Sequence, residues 1–203
     1  MSDRGELFGL LEEALVAHVG VVMAEHPVVL PAAFAVDLSG PDAGGSLYLH
    51  GSVAAGWLRQ APDATVCVTI TELDGLVAGR SAFHHSMNYR SAVVIGSARV
   101  VDAADEKQRA LDLIVDHMIP GRAATMRPST RKELVATVVL AVPLHDASMK
   151  RRAGSPVDEP EDVAAGVWGG HIPLRRVASA AVSDPEASGA VPEDVVRRAA
   201  GLR

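Results

Sequence analysis

The chain has 203 residues, of which 48% are apolar and only 3% aromatic, and its formal net charge is -6. This length suits one domain with a sizeable core, and a core rich in Val and Ala favours β-sheet. The acidic balance offers no basic surface to a nucleic acid, and the sequence has neither a run of membrane-spanning length nor a leader-like start. We therefore expect a cytoplasmic protein that binds neither nucleic acid nor membrane.

The first third of the chain predicts one helix followed by paired strands. Apolar residues recur at helical spacing from Leu7 to Leu15, which predicts a short amphipathic helix. Residues 16–23 and 28–36 predict two antiparallel strands, and a glycine-rich loop separates them from a third strand at residues 46–50. Residues 53–60 then predict a short helix.

The middle of the chain predicts further strands. Residues 65–71 form an apolar, β-branched run that contains the single cysteine, Cys67, which we expect to be buried as a small apolar residue. A turn at residues 73–76 is expected to separate this strand from a pair at residues 77–83 and 92–101. The polar residues between that pair are interpreted as a connector.

After residue 101 the pattern changes to a helix. Asp102 or Asp105 is the expected cap, and the apolar stripe consists of Leu111, Ile114, Val115 and Met118. Residues 136–144 predict a last strand. We expect one domain over residues 1–177 and a tail over 178–203 that is partly disordered or a short helix. Strands with few helices between them exclude a parallel sheet and indicate a mainly β, antiparallel barrel with a few peripheral helices.

The segment Tyr48-Leu-His-Gly-Ser52 is the first candidate site. It closes a strand at the predicted start of a helix, where backbone N–H groups and the Ser52 hydroxyl could bind an anion such as phosphate. An ordinary turn with Ser52 as the helix cap accounts for the same residues.

The segment of residues 81–91 is the second candidate, because two histidines and an arginine lie among hydrogen-bonding side chains. The alternative is a polar hairpin in which Arg90 forms a surface ion pair. His84 and His85 would point to opposite faces of an extended chain, so we predict no metal site. Trp168 could cover a flat ring or anchor the tail in a groove. The basic cluster at residues 150–152 could attract phosphate, but we interpret it as a solvated or ion-paired face.

These segments give the chain a recognisable pattern. The segments at residues 48–52, 65–71, 82–96 and 167–170 together resemble the flavin-nucleotide-binding branch of the pyridoxamine 5'-phosphate oxidase-like proteins, which is related to nitroimidazole resistance reductases. The resemblance implies a split β-barrel of Greek-key type and a homodimer with FMN at the subunit interface. Redox chemistry would then be carried by the flavin ring.

The resemblance also implies roles for individual residues. Pro31 and Ala32 would line the cofactor; Tyr48, His50, Gly51 and Ser52 would hold its ribityl and phosphate groups; Asn88, Tyr89, Arg90 and Ser91 would lie beside the ring; and Trp168 would close the site across the dimer. Many relatives carry a basic pair after the Gly-Ser turn, whereas this chain has Val53-Ala-Ala-Gly56. Loss of one charge-assisted contact costs about 1.5 to 3 kcal/mol of binding free energy. The alternatives to tight FMN binding are therefore weak FMN binding, or binding of FAD, haem or a deazaflavin in its place.

Two functions follow from this resemblance. The first is a flavin-dependent oxidoreductase that takes a hydride from a reduced nicotinamide and reduces a small acceptor. The second is a non-catalytic binding module or sensor for FMN, haem or a deazaflavin. Oxidation of pyridoxamine phosphate itself is disfavoured because the chain lacks the Arg-Lys signature of that reaction.

Overall fold

The computed structural model describes residues 4–202, which form two antiparallel sheets and several helices. The strands are β1 Ala17–Met23, β2 His26–Ala32, β3 Phe34–Asp37, β4 Ser46–Ser52, β5 Thr65–Ala78, β6 Ser86–Ser97, β7 Arg99–Val100, β8 Thr137–Pro143, β9 Ala147–Arg152 and β10 Gly170–Pro173. The helices are α1 Arg4–Glu13, α2 Gly56–Gln60, α3 Ala104–Met118, α4 Arg131–Ala136, α5 Pro160–Ala164 and α6 Glu193–Gly201. Residues 82–84 and 123–125 form short 3-10 helices.

The larger sheet has the strand order β2-β1-β5-β6-β9, with β10 paired to the far half of β5. The smaller sheet has the order β3-β4-β8-β7. The two sheets enclose one aliphatic core, to which α1 contributes Leu7, Leu10 and Leu11. The architecture is the mainly β split barrel expected from the sequence.

Helix α3 covers the outer face of the smaller sheet. Ala110 and Ile114 of α3 pack against Tyr48, Val139 and Ala141, which alternate with core residues along β4 and β8. Of the apolar stripe predicted from the sequence, Ile114 is buried against this sheet and Leu111 packs beside it, whereas Met118 is exposed. The expected aspartate cap of α3 is wrong, because Ala103 occupies the N-cap position without a side-chain hydrogen bond.

Three sequence expectations in the larger sheet are wrong. Residues 73–76 are not a turn, because β5 runs through them with a bulge between Leu73 and Gly75. The presumed polar connector is mostly strand, since β6 begins at Ser86. Cys67 is exposed, because Val66, Val68 and Ile70 fill the core side of β5 and the cysteine alternates to the other face.

The end of the chain returns to the barrel. Helix α6 lies beside the end of α3, where Arg198 Nε donates a 2.8 Å hydrogen bond to the Met118 carbonyl oxygen. Arg122, in the loop after α3, forms an ion pair of 3.4 Å with the buried Asp194 of α6. The predicted tail thus includes a short helix; its last residue, like residues 1–3, lies outside the described part. No helix in residues 4–202 is both long and apolar enough to cross a membrane.

Candidate functional site

The predicted site residues of strand β6 lie on two faces of the larger sheet. Asn88 and Arg90 lie on the core side with the buried Ala92, whereas Tyr89 and Ser91 lie on the outer side. Side chains alternate along a strand, so the side chains of four consecutive residues do not all face one side of the sheet. The structure therefore divides this predicted group into two pairs.

Tyr89 and Ser91 line a groove on the outer face of the larger sheet, with a volume of about 360 Å³. The other lining residues come from β5, β6 and β9; they are Thr71, Met87, Val93, Ser148, Met149 and Lys150. The hydroxyls of Thr71 and Ser91 lie 2.8 Å apart and share a hydrogen bond. We call this feature the outer-face groove. It combines apolar side chains, hydroxyls and one ammonium group.

Arg90 is held by two carboxylates away from that groove. Its guanidinium donates to Glu13 at 2.5 and 3.0 Å and to Asp74 at 2.8 and 3.0 Å. The hydrogen bond from Arg90 holds the pKa of Glu13 below its usual value. This arginine ties α1 to the bulged part of β5, which is the ion-paired alternative considered from the sequence.

Asn88 is also engaged in the protein. Its side chain is buried, accepts a hydrogen bond from Arg152 Nη1 and donates one of 3.1 Å to the Gly154 carbonyl oxygen. It therefore fixes the end of β9 and the turn that follows.

Pro31 and Ala32 of β2 also lie on opposite faces of the larger sheet. Pro31 pairs with His18, His18 with Thr69, and Thr69 with Val93, which places Pro31 in a row that crosses the outer face to the outer-face groove. Ala32 instead packs against the core. Three strand spacings separate Pro31 from Val93, or about 14 Å, so Pro31 shares the face with the groove but does not line it.

Tyr48 is fully buried between the smaller sheet and α3. Its hydroxyl donates a 3.0 Å hydrogen bond to Glu106, whose carboxylate is also bound by Arg99. Burial raises the pKa of this phenol above its usual value. Tyr48 thus joins α3 to β4.

Gly51 and Ser52 do not start a helix. Both belong to β4, where Ser52 pairs with Thr137, and α2 begins only at Gly56. The Ser52 hydroxyl accepts a 3.2 Å hydrogen bond from the Ala54 N–H and so closes a turn. The predicted helix start at this point is wrong, and so is Ser52 as the helix cap, whereas a role of these residues in holding a phosphate stays a prediction.

His50 lines a second cavity, on the outer side of the smaller sheet, with a volume of about 520 Å³. We call it the His50 cavity. Its walls are mostly apolar side chains of α3 and the following loop, namely Leu111, Ile114, Val115, Met118, Ile119 and Met126, and its remaining lining residues are Ala33, Arg122, Ser129 and Thr137. The Nδ1 atom of His50 is buried without a hydrogen-bond partner. Burial lowers the pKa of this imidazole.

Trp168 is presented to solvent, with 70% of its surface exposed. The loop that carries it is fixed by Arg80, which donates 2.8 Å to the Val167 carbonyl oxygen and 2.7 Å to the buried Asp158. No described residue closes over the indole. A role in covering a site across a dimer stays a prediction.

The sequence assigns no site role to Thr71 or Arg122, and it marks Lys150 only as part of a basic cluster that could attract phosphate. The alternation of side chains along a strand would have placed Thr71 and Lys150 on the groove side. That inference needs strand β9 and a start of β6 at Ser86, and the sequence pattern predicts neither. Arg122 has no comparable signal, because it follows α3 in a loop and reaches the His50 cavity through tertiary packing.

A model of the family described as pyridoxamine 5'-phosphate oxidase matches residues 3–151. No curated protein matches the chain. Among solved structures, the FAD and haem binding protein from Mycobacterium smegmatis is 38% identical, with a TM-score of 0.88 over 100% of this chain and 96% of that chain. The flavocytochrome Anf3 from Azotobacter vinelandii is 33% identical, with a TM-score of 0.88 over 97% of this chain and 90% of that chain.

A more distant match indicates likeness of fold. A candidate 5-nitroimidazole antibiotic resistance protein from Bacteroides thetaiotaomicron is 23% identical, with a TM-score of 0.58 over 73% of this chain and 84% of that chain. The family match and these structures confirm the resemblance carried by the sequence segments at residues 48–52, 65–71, 82–96 and 167–170.

Proposed function

The chain belongs to the pyridoxamine 5'-phosphate oxidase family, and on that premise we propose that it is a flavin-dependent oxidoreductase. The observation that carries the proposal is the likeness, over 97% or more of the chain, to two solved proteins named for FAD and as a flavocytochrome. A bound flavin would supply the redox chemistry, accepting a hydride from a reduced nicotinamide and passing electrons to a small acceptor.

The outer-face groove has the chemical character that a flavin requires. Met87 and Val93 offer apolar contact to a flat ring, and the hydroxyls of Thr71 and Ser91 can both donate and accept hydrogen bonds at its polar edge. Lys150 provides a positive charge for a phosphate group. In this proposal the side chains bind and orient the cofactor, and none of them exchanges electrons.

FAD has more ways than FMN to bind at a site with few cationic side chains. The terminal phosphate of FMN carries about 1.5 to 2 negative charges at neutral pH, so its binding favours contact with cationic side chains. Residues 53–56 contain no basic side chain. FAD carries a comparable charge on a diphosphate, but it spreads this charge over two phosphates and adds an adenosine that can make further contacts. We therefore propose that FAD binds more tightly than FMN.

A second copy of the chain would complete the site. The outer face of the larger sheet exposes Val29, Met87 and Ile95, with Cys67 between the strands that carry them, and no described element covers it. Contiguous exposed apolar surface of this kind marks interaction sites. A homodimer formed through this face would shelter the groove from water.

Titration of the purified protein with FAD and with FMN tests the proposal. Quenching of flavin fluorescence should report saturable binding, tighter for FAD. In the Lys150→Met variant, loss of one charge-assisted contact should weaken flavin binding roughly ten- to a hundredfold. Lys132→Met is the matched control, because Lys132 is exposed on α4 and lines neither cavity.

Each outcome of this titration decides one part of the proposal. Absence of saturable binding of either flavin would overturn it. Equal losses in the Lys150 and Lys132 variants would remove the groove as the site. Anaerobic mixing of the loaded protein with NADH or NADPH then separates the two functions, because flavin that is bound but never reduced indicates a binding module or sensor.

A further inference from the structure

The His50 cavity lies apart from the outer-face groove. The groove is on the outer face of the larger sheet, whereas the cavity lies between the smaller sheet and the C-terminal half of α3. No residue lines both features. The cavity is therefore available to a ligand that does not compete for the groove.

The walls of the cavity suit a flat or extended apolar ligand. Leu111, Ile114, Val115 and Met118 form one helical face, and Ile119 continues it. A volume of about 520 Å³ lies within the range of 300 to 1,000 Å³ that is typical of pockets for drug-sized ligands. Aliphatic side chains on this scale favour a ligand with a large apolar surface.

His50 adds one metal-binding group to these apolar walls. Its imidazole makes no hydrogen bond to a described residue, and its buried Nδ1 has no partner. A buried polar atom without a partner is uncommon and calls for a water or a ligand.

Arg122 places a positive charge beside the same cavity. It lines the cavity and is held by Asp194 of α6 at 3.4 Å, a distance longer than a good charge-assisted hydrogen bond. A guanidinium has five N–H donors, so it can bind a carboxylate while it keeps this contact. The cavity thus combines an apolar body, an imidazole and an anion-binding group.

We propose that the His50 cavity binds a b-type haem, with His50 as an iron ligand and Arg122 paired with a propionate. Haem has apolar faces, anionic propionates and an iron that takes an axial imidazole. A bare metal ion fits less well, because no group of three or more His, Cys, Asp or Glu in residues 4–202 could hold one. The names of the two solved relatives, which include haem and cytochrome, are consistent with the assignment.

Titration with haemin and with metal-free protoporphyrin tests this assignment. Because the two differ only in iron, coordination by His50 should make haemin bind more tightly and give a Soret band typical of a histidine-ligated haem. His50→Ala and the similarly sized His50→Gln should lose that Soret spectrum and weaken haemin binding roughly tenfold or more, with little change for the metal-free ring. His145→Ala, a change at an exposed histidine in the turn before β9, is the control.

A second pair of variants tests Arg122. Arg122→Gln should weaken haemin roughly ten- to a hundredfold without a shift of the Soret maximum, because the iron ligand is unchanged. Asp194→Asn breaks the same ion pair but keeps the guanidinium, so it should retain haemin affinity. Equal losses in the two variants would assign the effect to docking of α6 and overturn the role of Arg122.

Other outcomes would overturn the haem site as a whole. Unchanged Soret spectra in both folded His50 variants would remove His50 as the ligand, and equal binding of haemin and the metal-free ring would reduce the cavity to a hydrophobic pocket. In a separate flavin titration of the His50 variants, loss of flavin binding with haemin binding intact would make the cavity part of the flavin site. The haem proposal is independent of the flavin proposal, since haemin is titrated into flavin-free protein.

Discussion

The four residues 88–91 show how far one pattern determines a site. Their polarity marks this segment as a candidate site, but the interpretation as a connector hides the alternation that separates them. Once β6 is placed, Tyr89 and Ser91 belong to the outer-face groove and Arg90 to an ion-pair network. The residue types indicate that these side chains make polar contacts, and the register of β6 determines which residues they contact.

Replacement of Arg90 tests its structural role. Arg90→Gln removes charge-assisted hydrogen bonds to Glu13 and Asp74, and because these groups are partly exposed we expect a loss of about 1 kcal/mol at pH 7. Urea denaturation measures it. Arg197→Gln, which removes an exposed pair within α6, should change stability by less than about 0.5 kcal/mol.

The pH dependence of the same variant provides a second check. The folded-state pKa of Glu13 is lowered from 4.5, so its ionised form stabilises the fold above that pH and this contribution is lost as pH falls below it. The difference between Arg90→Gln and the parent should therefore shrink below about pH 4.5. A difference that stays constant down to pH 3 would show that Glu13 is not the partner that matters.

At the scale of elements, local periodicity predicted helices α1 and α3 well, because each presents a continuous apolar stripe. Strands β9 and β10 were missed for a physical reason. The basic residues 150–152 carry no apolar alternation, and β10 has only four residues, so both are strands because of the neighbours they pair with. The bulge that carries β5 through Gly75 likewise depends on its pairing with β6.

Two glycines offer a matched test of element packing. A Cβ added at Gly79 would lie 2.5 Å from the carbonyl carbon of His84, so Gly79→Ala must displace the turn between β5 and β6 at a cost of about 1 to 3 kcal/mol. A Cβ at Gly9 meets nothing within 4 Å, and Gly9→Ala in the exposed part of α1 should stabilise by about 0.5 to 1 kcal/mol. Thermal unfolding should separate the two; a stabilised Gly79 variant would contradict the close approach.

At the scale of the whole molecule, the split barrel and its family were predictable because several separated segments agreed on one pattern. The distribution of site residues was not, since it depends on which sheet each strand joins. His50 shows this best: its predicted place among cofactor-binding residues stays a prediction, but its cavity includes the stripe of α3, which the sequence marks only as the apolar face of a helix.

The proposed dimer is testable on the exposed face of the larger sheet. Ile95→Lys places a charge among apolar neighbours, and a buried unpaired charge should weaken association roughly a hundredfold or more. Sedimentation should then show the 21.2 kDa chain as a monomer where the parent sediments at twice that mass. Val182→Lys, at a position 95% exposed in the tail, should leave the parent mass unchanged. A parent that is itself monomeric would contradict the dimer.

The separation of the outer-face groove and the His50 cavity has a consequence for electron flow. They lie on the outward faces of different sheets, and packed sheets are about 10 Å apart, with an aliphatic core between them. Within one subunit, that core would separate a flavin in the groove from a haem in the cavity by a distance that the fold determines. Two redox centres held there would exchange electrons by tunnelling, at a rate governed by the barrel rather than by diffusion of a carrier.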